Sequence, residues 1–370
     1  MKVLHILNEL KFSGGETMLA SAGPYWSKNN IELHVLSTGL QCGAYSNVLR
    51  GAGYIVHHIP YERRWAFVKR ISKLIRQHAF DVVHIHPERG YLLYAVAAWF
   101  AETPLKVKTV HHIFRYKGLL RLRALLMRHF CRLILKVTFV SNSLSGRANE
   151  YRLYRMRNRY VPNWFDSNRY CAAAVTEAKT SIGTIRADIG IQSDNEVMLI
   201  SLGGNWEYKN FDKVIRAIGS LPDSSRFVYV HCGVDEKNEL QELARNLGVR
   251  FVGKGITPNV IPYLVVSDLF MMPSREEGFG IAAVEAMAVG VPLCLSMVPA
   301  LCDFKELSDD IYWCDPSVES IAAFLSKLQK MDPVTREHVS LSLMTVAGEF
   351  SMERGALGYL DIYREGLIAR

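Results

Sequence analysis

Two glutamates eight residues apart, Glu277 and Glu285, carry the richest chemistry in this 370-residue chain. They lie in Ser274-Arg275-Glu276-Glu277-Gly278-Phe279-Gly280-Ile281-Ala282-Ala283-Val284-Glu285-Ala286-Met287. The run Leu269–Pro273 ahead of them reads as a buried strand closed by a proline. The small-residue stretch after Gly280 reads as a helix stopped at Val289-Gly290-Val291-Pro292. One carboxylate therefore sits on a loop at a strand's C-terminal end, and the other about one turn into the next helix. The first N–H groups of that helix lack intrahelical acceptors and carry the positive end of its dipole, which suits a phosphate. Carboxylates beside a phosphate cradle can accept hydrogen bonds from hydroxyls. The ligand such a pattern fits is a sugar carried on a nucleotide, although a bare Glu-x7-Glu without its flanking residues would favour a plain strand–loop–helix with two solvated side chains.

Other residues offer related chemistry. Ser13-Gly14-Gly15-Glu16-Thr17 follows the first strand-like run, and its glycines would let a backbone approach a ligand closely with N–H groups pointing out. A plain tight turn would look the same. Lys209, in Gly203-Gly204-Asn205-Trp206-Glu207-Tyr208-Lys209-Asn210, is expected to open a helix, where its charge opposes the dipole and calls for an anionic partner. His111 and His112 end a strand, and sheet-edge histidines are often merely structural. His84 and His86 alternate along another strand and share a face, a pair with no third ligand visible in the sequence.

The secondary-structure runs that would carry these groups alternate in type. Strands are expected over 3–7, 31–37, 54–59, 82–86, 106–111 and 138–140, with helices over 17–28, 41–51, 65–78, 91–101 and 119–135 between them. The second half continues the alternation, with strands over 196–202, 226–232, 250–252, 268–272 and 293–295, helices over 210–218 and 236–247, and the helix bearing Glu285. Such alternation implies parallel, doubly wound α/β sheets, with ligands beyond the strand C-termini. The polar stretch 162–195 lacks a strong period and is the expected linker. The expected domains are 1–165 and 166–350, with a terminal helix over 351–370 returning to the first.

Composition is that of an ordinary globular protein, 49% hydrophobic and 22% charged. The short apolar start and the lack of an 18-residue apolar run argue for a chain without leader or membrane span, hence a cytoplasmic one. Seven scattered cysteines without a Cys-x-x-Cys argue for reduced thiols and against a structural zinc scaffold. The net charge of +8 is concentrated: 106–169 holds fifteen Lys/Arg against Glu150 and Asp166. Within it, 115–136 carries seven basic and no acidic residues. Leu119, Leu122, Leu126, Phe130 and Leu133 or Ile134 recur there at helical spacing. This basic amphipathic helix either packs on the sheet with a solvated rim or docks on an anionic membrane surface. Arg152, Arg155, Arg157 and Arg159 favour the second reading, a peripheral location on the inner membrane face. With no nucleic-acid module evident, nucleic acid is not an expected partner.

In full, the Glu motif reads Ser-x-x-Glu-Gly-Phe-Gly-x-x-x-x-Glu-Ala-Met-Ala-x-Gly-x-Pro. It resembles the donor motif of the family 4 retaining glycosyltransferases, and the resemblance extends over nearly the whole chain. It implies the GT-B plan, two Rossmann-like domains facing across a cleft. It also implies transfer of a sugar from a nucleotide diphosphate sugar to a hydroxyl of a lipid-linked or cell-envelope glycan. Carried over, Glu285 would hold ribose hydroxyls and Glu277 the donor sugar, while the backbone of Gly278, Phe279, Gly280 and Ile281 would meet the diphosphate. Gly14 and Gly15 would lie near the diphosphate or an acceptor phosphate, and His111 would face the reacting sugar. Asn163, in Val161-Pro162-Asn163, would set the domain junction. The family's Gly-Arg-x-x-x-x-Lys pattern is met at Lys209, but Gly204 stands where the Arg would be; Arg275 is the candidate to compensate. No metal or other cofactor is expected, because Lys209 and the helix end stand where a cation would. The alternatives are a sugar-nucleotide epimerase or hydrolase on the same fold, or a non-catalytic module for anionic lipid.

Overall fold

A computed structural model describes residues 1–62, 65–233 and 239–369. Of the segments expected above, 236–238 at the start of one helix and Arg370 lie outside the described residues. The chain forms two compact units, Met1–Asp166 with Ser351–Arg370, and Ser167–Phe350.

The first unit holds β1 (Lys2–Leu7), β2 (Glu32–Ser37), β3 (Tyr54–His58), β4 (Val82–Ile85), β5 (Leu105–Val110), β6 (Val137–Ser141) and β7 (Arg159–Tyr160). They form one parallel sheet in the order β3-β2-β1-β4-β5-β6-β7. The second unit holds β8 (Val197–Leu202), β9 (Phe227–Cys232), β10 (Arg250–Gly255), β11 (Leu269–Met272), β12 (Leu293–Ser296) and β13 (Ile311–Cys314). Its order is β10-β9-β8-β11-β12-β13, again parallel. Strands β4, β5, β8, β9, β11 and β12 are buried along their whole length, as central strands of sheets covered by helices on both faces must be. In each sheet the order reverses beside the first strand, between β1 and β4 and between β8 and β11. Chain connections leave in opposite directions there, which opens a crevice at the strand C-termini.

Several elements depart from the expectation. The helix expected over 41–51 is confined to Ser46–Gly51. The preceding loop is tied to Leu10, whose carbonyl accepts from Tyr45 N–H. Gly43 takes φ +98° where a Cβ would fall 2.2 Å from the Leu10 oxygen. The stretch 162–195 is not featureless, because it contains helices Ala172–Lys179 and Ile182–Asp188. Each is only about two turns long, so periodicity had little to register.

The basic helix spans Gly118–Leu133, and its apolar stripe does not pack on the sheet. Leu119 is 84% exposed, Leu126 58% and Phe130 45%; the buried positions are Ala124, Arg128 and Cys131. Arg128 donates to Glu150 Oε2 at 2.8 Å and Oε1 at 3.1 Å, and to Glu88 Oε1 at 3.4 Å. Its guanidinium lies over the Tyr154 ring. Buried Lys108 joins from the sheet, 3.4 Å from Glu88 Oε2. A buried arginine cannot lose its charge, so this ionic knot fixes which side of the helix faces in. The leucines are thereby turned outward.

Helix Met352–Ile368 belongs to the first unit. Trp26 Nε1 donates to Ala356 O at 3.0 Å, and Trp164 Nε1 to Met18 O at 3.0 Å. Gly355 admits the Trp164 ring so closely that a Cβ would lie 2.2 Å from it.

Candidate functional site

In the second unit the reversal between β8 and β11 gathers the expected residues. Strand β11 runs into Pro273 and Ser274, and the main chain there is held by donors from three directions. Ser201 Oγ bonds Met271 O at 2.6 Å, Asn210 Nδ2 bonds Pro273 O at 3.1 Å, and Ser296 Oγ bonds Ser274 O at 2.5 Å. The loop that follows is thus a fixed platform for Glu277. Ser274 Oγ donates to Glu277 Oε1 at 3.0 Å, and Lys209 Nζ donates to the same oxygen at 2.5 Å. Both partners are largely buried, with side-chain exposures of 16% for Lys209 and 9% for Glu277. The anionic partner that Lys209 called for is therefore Glu277 itself. An ammonium has three N–H donors, so two remain for other acceptors.

Lys209 does not open a regular helix. It closes the short turn Glu207–Lys209, and Asn210 then takes φ +64° before helix Phe211–Gly219 starts. Buried Asn210 spans Pro273 O and Pro316 O, so it locks the Lys209 turn onto the Glu277 loop. Arg275 points elsewhere: its Nη2 bonds Glu207 Oε1 at 2.9 Å and Glu207 O at 3.1 Å on an exposed edge. It braces the same two loops from outside.

The loop after β8 shows what stands in the missing arginine's place. Gly204 lies against the Trp206 indole, and a Cβ there would come 2.9 Å from Nε1. Gly203 takes φ +124°, and its carbonyl meets His231 Nε2 at 2.8 Å. It also passes so near Gly233 that a Cβ on that residue would fall 1.7 Å from the oxygen.

Gly278, Phe279 and Gly280 are buried and lead into helix Ile281–Val289. Gly280 is its N-cap at φ +104°, where a Cβ would lie 2.6 Å from Leu301 Cδ2. The backbone turn is therefore only open to glycine. Ala283 N–H donates to Gly280 O at 3.0 Å, while the N–H groups of Ile281 and Ala282, first in the helix, have no intrahelical acceptor. Glu285 lies in the second turn of this helix, half-buried.

In the first unit the helix after β1 begins at Gly14, three residues before the expected start, so Gly14 and Gly15 form its first turn rather than a separate loop. A Cβ on Gly15 would meet only Ser13 Oγ at 3.9 Å, so packing alone does not demand glycine there. Glu16 is buried beside them and bonds Ser13 Oγ; desolvation raises its carboxyl pKa against that hydrogen bond. His111 follows β5 directly. Its Nε2 shares a 3.0 Å hydrogen bond with His86 Nδ1, and His86 Nε2 a 3.1 Å bond with His5 Nδ1. Burial, then the charge of Lys108, pulls the His111 pKa down to about 3, so its ring is neutral. The pair His84 and His86 has a third neighbour, because register places His5 beside His84. Both nitrogens of His84 are engaged, by Tyr363 OH at 2.6 Å and Thr109 Oγ1 at 2.7 Å. Sequence reasoning assigned no role to Trp206, His231 or Ser296; His231 and Ser296 lie at the C-terminal ends of β9 and β12, the one signal that could have found them. Asn163 is buried beside the end of β7.

Two family models match: "Glycosyltransferase Family 4" over residues 12–169 and "Glycosyl transferases group 1" over residues 182–339. The chain is 24% identical over 327 residues to N-acetyl-alpha-D-glucosaminyl L-malate synthase of Bacillus anthracis, covering 85% of this chain and 81% of that one. It is 27% identical over 244 residues to UDP-Gal:alpha-D-GlcNAc-diphosphoundecaprenol alpha-1,3-galactosyltransferase of Escherichia coli, 62% of this chain and 60% of that one. Anabaena HepE, solved in complex with UDP-glucose, superposes with a TM-score of 0.79 at 17% identity over the full length of both chains.

Proposed function

Because this chain belongs to the group 1, family 4 glycosyltransferases and has their GT-B fold, we propose that it moves a sugar from a nucleotide diphosphate sugar to a hydroxyl of a lipid-linked or envelope glycan, with retention at the anomeric carbon. The observation that carries this reading is the meeting of Lys209, Glu277 and a glycine-capped helix N-terminus on one rigid loop pair.

The barrier is cleavage of the anomeric C–O bond, which leaves negative charge on the diphosphate and positive charge on the sugar ring. Lys209, with two spare donors, and the N–H groups around Gly280 and Ile281 neutralise the leaving group. Glu277, fixed by Ser274 and Lys209, accepts from the sugar hydroxyls. Glu285, one turn along, takes those of the ribose. This division of charge needs no metal in the transfer step. In the first unit, Gly14 and Gly15 open a helix start to a phosphate, and His111 offers a neutral ring oriented by its hydrogen bond with His86. The leaving phosphate oxygen takes the acceptor's proton on the face it departs from, which retains configuration.

The acceptor reading rests on the outward face of Gly118–Leu133. Exposed Leu119, Leu122, Leu126 and Phe130 among arginines fit the surface of an anionic membrane, where each basic group contributes about 1 kcal/mol. No helix among the described residues is long and apolar enough to cross one. The E. coli relative, whose name specifies a diphosphoundecaprenol acceptor, supports the same class. With a lipid-linked acceptor in acidic vesicles, the product's new linkage should keep the donor's anomeric configuration by NMR. L122E/L126E should slow transfer on vesicles and leave a soluble acceptor unaffected. An inverted product would reject the mechanism, and equal rates on vesicles would reject the docking face.

A further inference from the structure

Three histidines outside the proposed transfer site converge at one corner of the first sheet. His34 lies on β2, His57 on β3, and His78 ends the helix Trp65–His78 that covers this face. Register pairs Leu36 with His57, so His34 and His57 sit diagonally on the same face. Their ring centroids are 5.2 Å apart, and His78 is 5.2 Å from His34 and 4.9 Å from His57. One nitrogen from each ring lies within 4.8 Å of the other two.

We propose that His34, His57 and His78 form a binding site for a divalent transition-metal ion, with zinc the best match. Zinc takes imidazole nitrogens at about 2.0–2.1 Å in tetrahedral array, which sets neighbouring nitrogens roughly 3.4 Å apart. His34 Nδ1 and His57 Nε2 already stand 2.9 Å apart, so the rings need only small rotations to admit an ion. The other nitrogen of His34 is 2.9 Å from Glu32 Oε1. A carboxylate behind a ligating histidine is the arrangement that fixes its tautomer and raises its basicity. Lys2, 3.3 Å from Glu32, balances that carboxylate. Phe80 walls the site, its ring 4.8 Å from His34 and 5.5 Å from His78. The His78 ring has no hydrogen bond among the described residues, which leaves its nitrogens available.

The other three-histidine group, His5, His84 and His86, is a poorer ligand set. His84 has both nitrogens committed, and His5 and His84 are sealed from solvent. At the His34 corner the partly exposed His57 and His78 give an ion an entry path and leave a fourth position for water. An ion there would clip β2, β3 and the end of their covering helix together.

Cobalt(II) serves as the spectroscopic probe. Titrating the metal-free full chain should give one saturable, tetrahedral-type visible band per chain, which zinc then displaces, together with a rise in melting temperature. His78→Ala, at an open helix end, should keep the fold and lose both signals, whereas His86→Asn should keep both. No saturable band, or a band unchanged in folded His78→Ala, would overturn the proposal.

Discussion

Glu277→Gln should fold and still lose about 100- to 1000-fold in turnover, the range seen when one well-placed electrostatic group is taken from a transition state. The amide keeps the volume and can still accept from Ser274, so the loop platform held by Asn210 and Ser296 should persist. What is lost is the charge that meets Lys209 and accepts from the sugar hydroxyls. The loss should fall mainly on kcat, because hydroxyl contacts strengthen as the ring becomes cationic. Steady-state assays beside a thermal melt check this. Near-parent turnover in a folded variant would remove Glu277 from the chemistry.

The second large effect concerns acid. Desolvation lowers the pKa of His5 to about 3 and that of His111 to about 3, and keeps His84 and His86 well below 6.5, with the neighbouring rings and Lys108 adding to it. The unfolded chain protonates its histidines near 6.5, so below that pH it binds protons that the folded first unit refuses. Folding stability is therefore complete above about 6.5 and falls as the pH drops toward 3, by about 1.4 kcal/mol per unit for each such histidine. From pH 7 to pH 5 the set together should cost several kcal/mol. Denaturant midpoints across that range should fall steeply, and His86→Asn should flatten the slope. A slope unchanged by that substitution would contradict the assignment.

The parts of this site that sequence reading reached are local. Glu277, Gly280 and Glu285 sit on one strand–loop–helix, where spacing alone fixes their relation. The pairing of Lys209 with Glu277 spans 68 residues and follows from β8 lying beside β11. Chemistry called for an anionic partner, but only topology could say which. The helix Gly118–Leu133 makes the same point in reverse. Periodicity identifies its apolar stripe, and the direction the stripe faces is set by Arg128 meeting Glu88 and Glu150, a tertiary contact. By charge alone, Arg128 counts among the basic residues of a solvated or membrane-facing rim. The pair His84 and His86 likewise gains a neighbour because β1 and β4 run in register. The helices within 162–195 escape sequence reading because each is only about two turns long, too short to show a period.

The proposed transfer depends above all on Lys209 and the helix after Gly280 holding a nucleoside diphosphate. Calorimetric titration of the chain with a panel of nucleoside diphosphates measures that binding. At least one should bind saturably, and Lys209→Ala should weaken that ligand by about 10-fold or more, as expected for loss of a charge-assisted hydrogen bond. If none of the panel binds, or if folded Lys209→Ala binds as the parent does, the diphosphate site is wrongly placed and the transfer chemistry built on it fails.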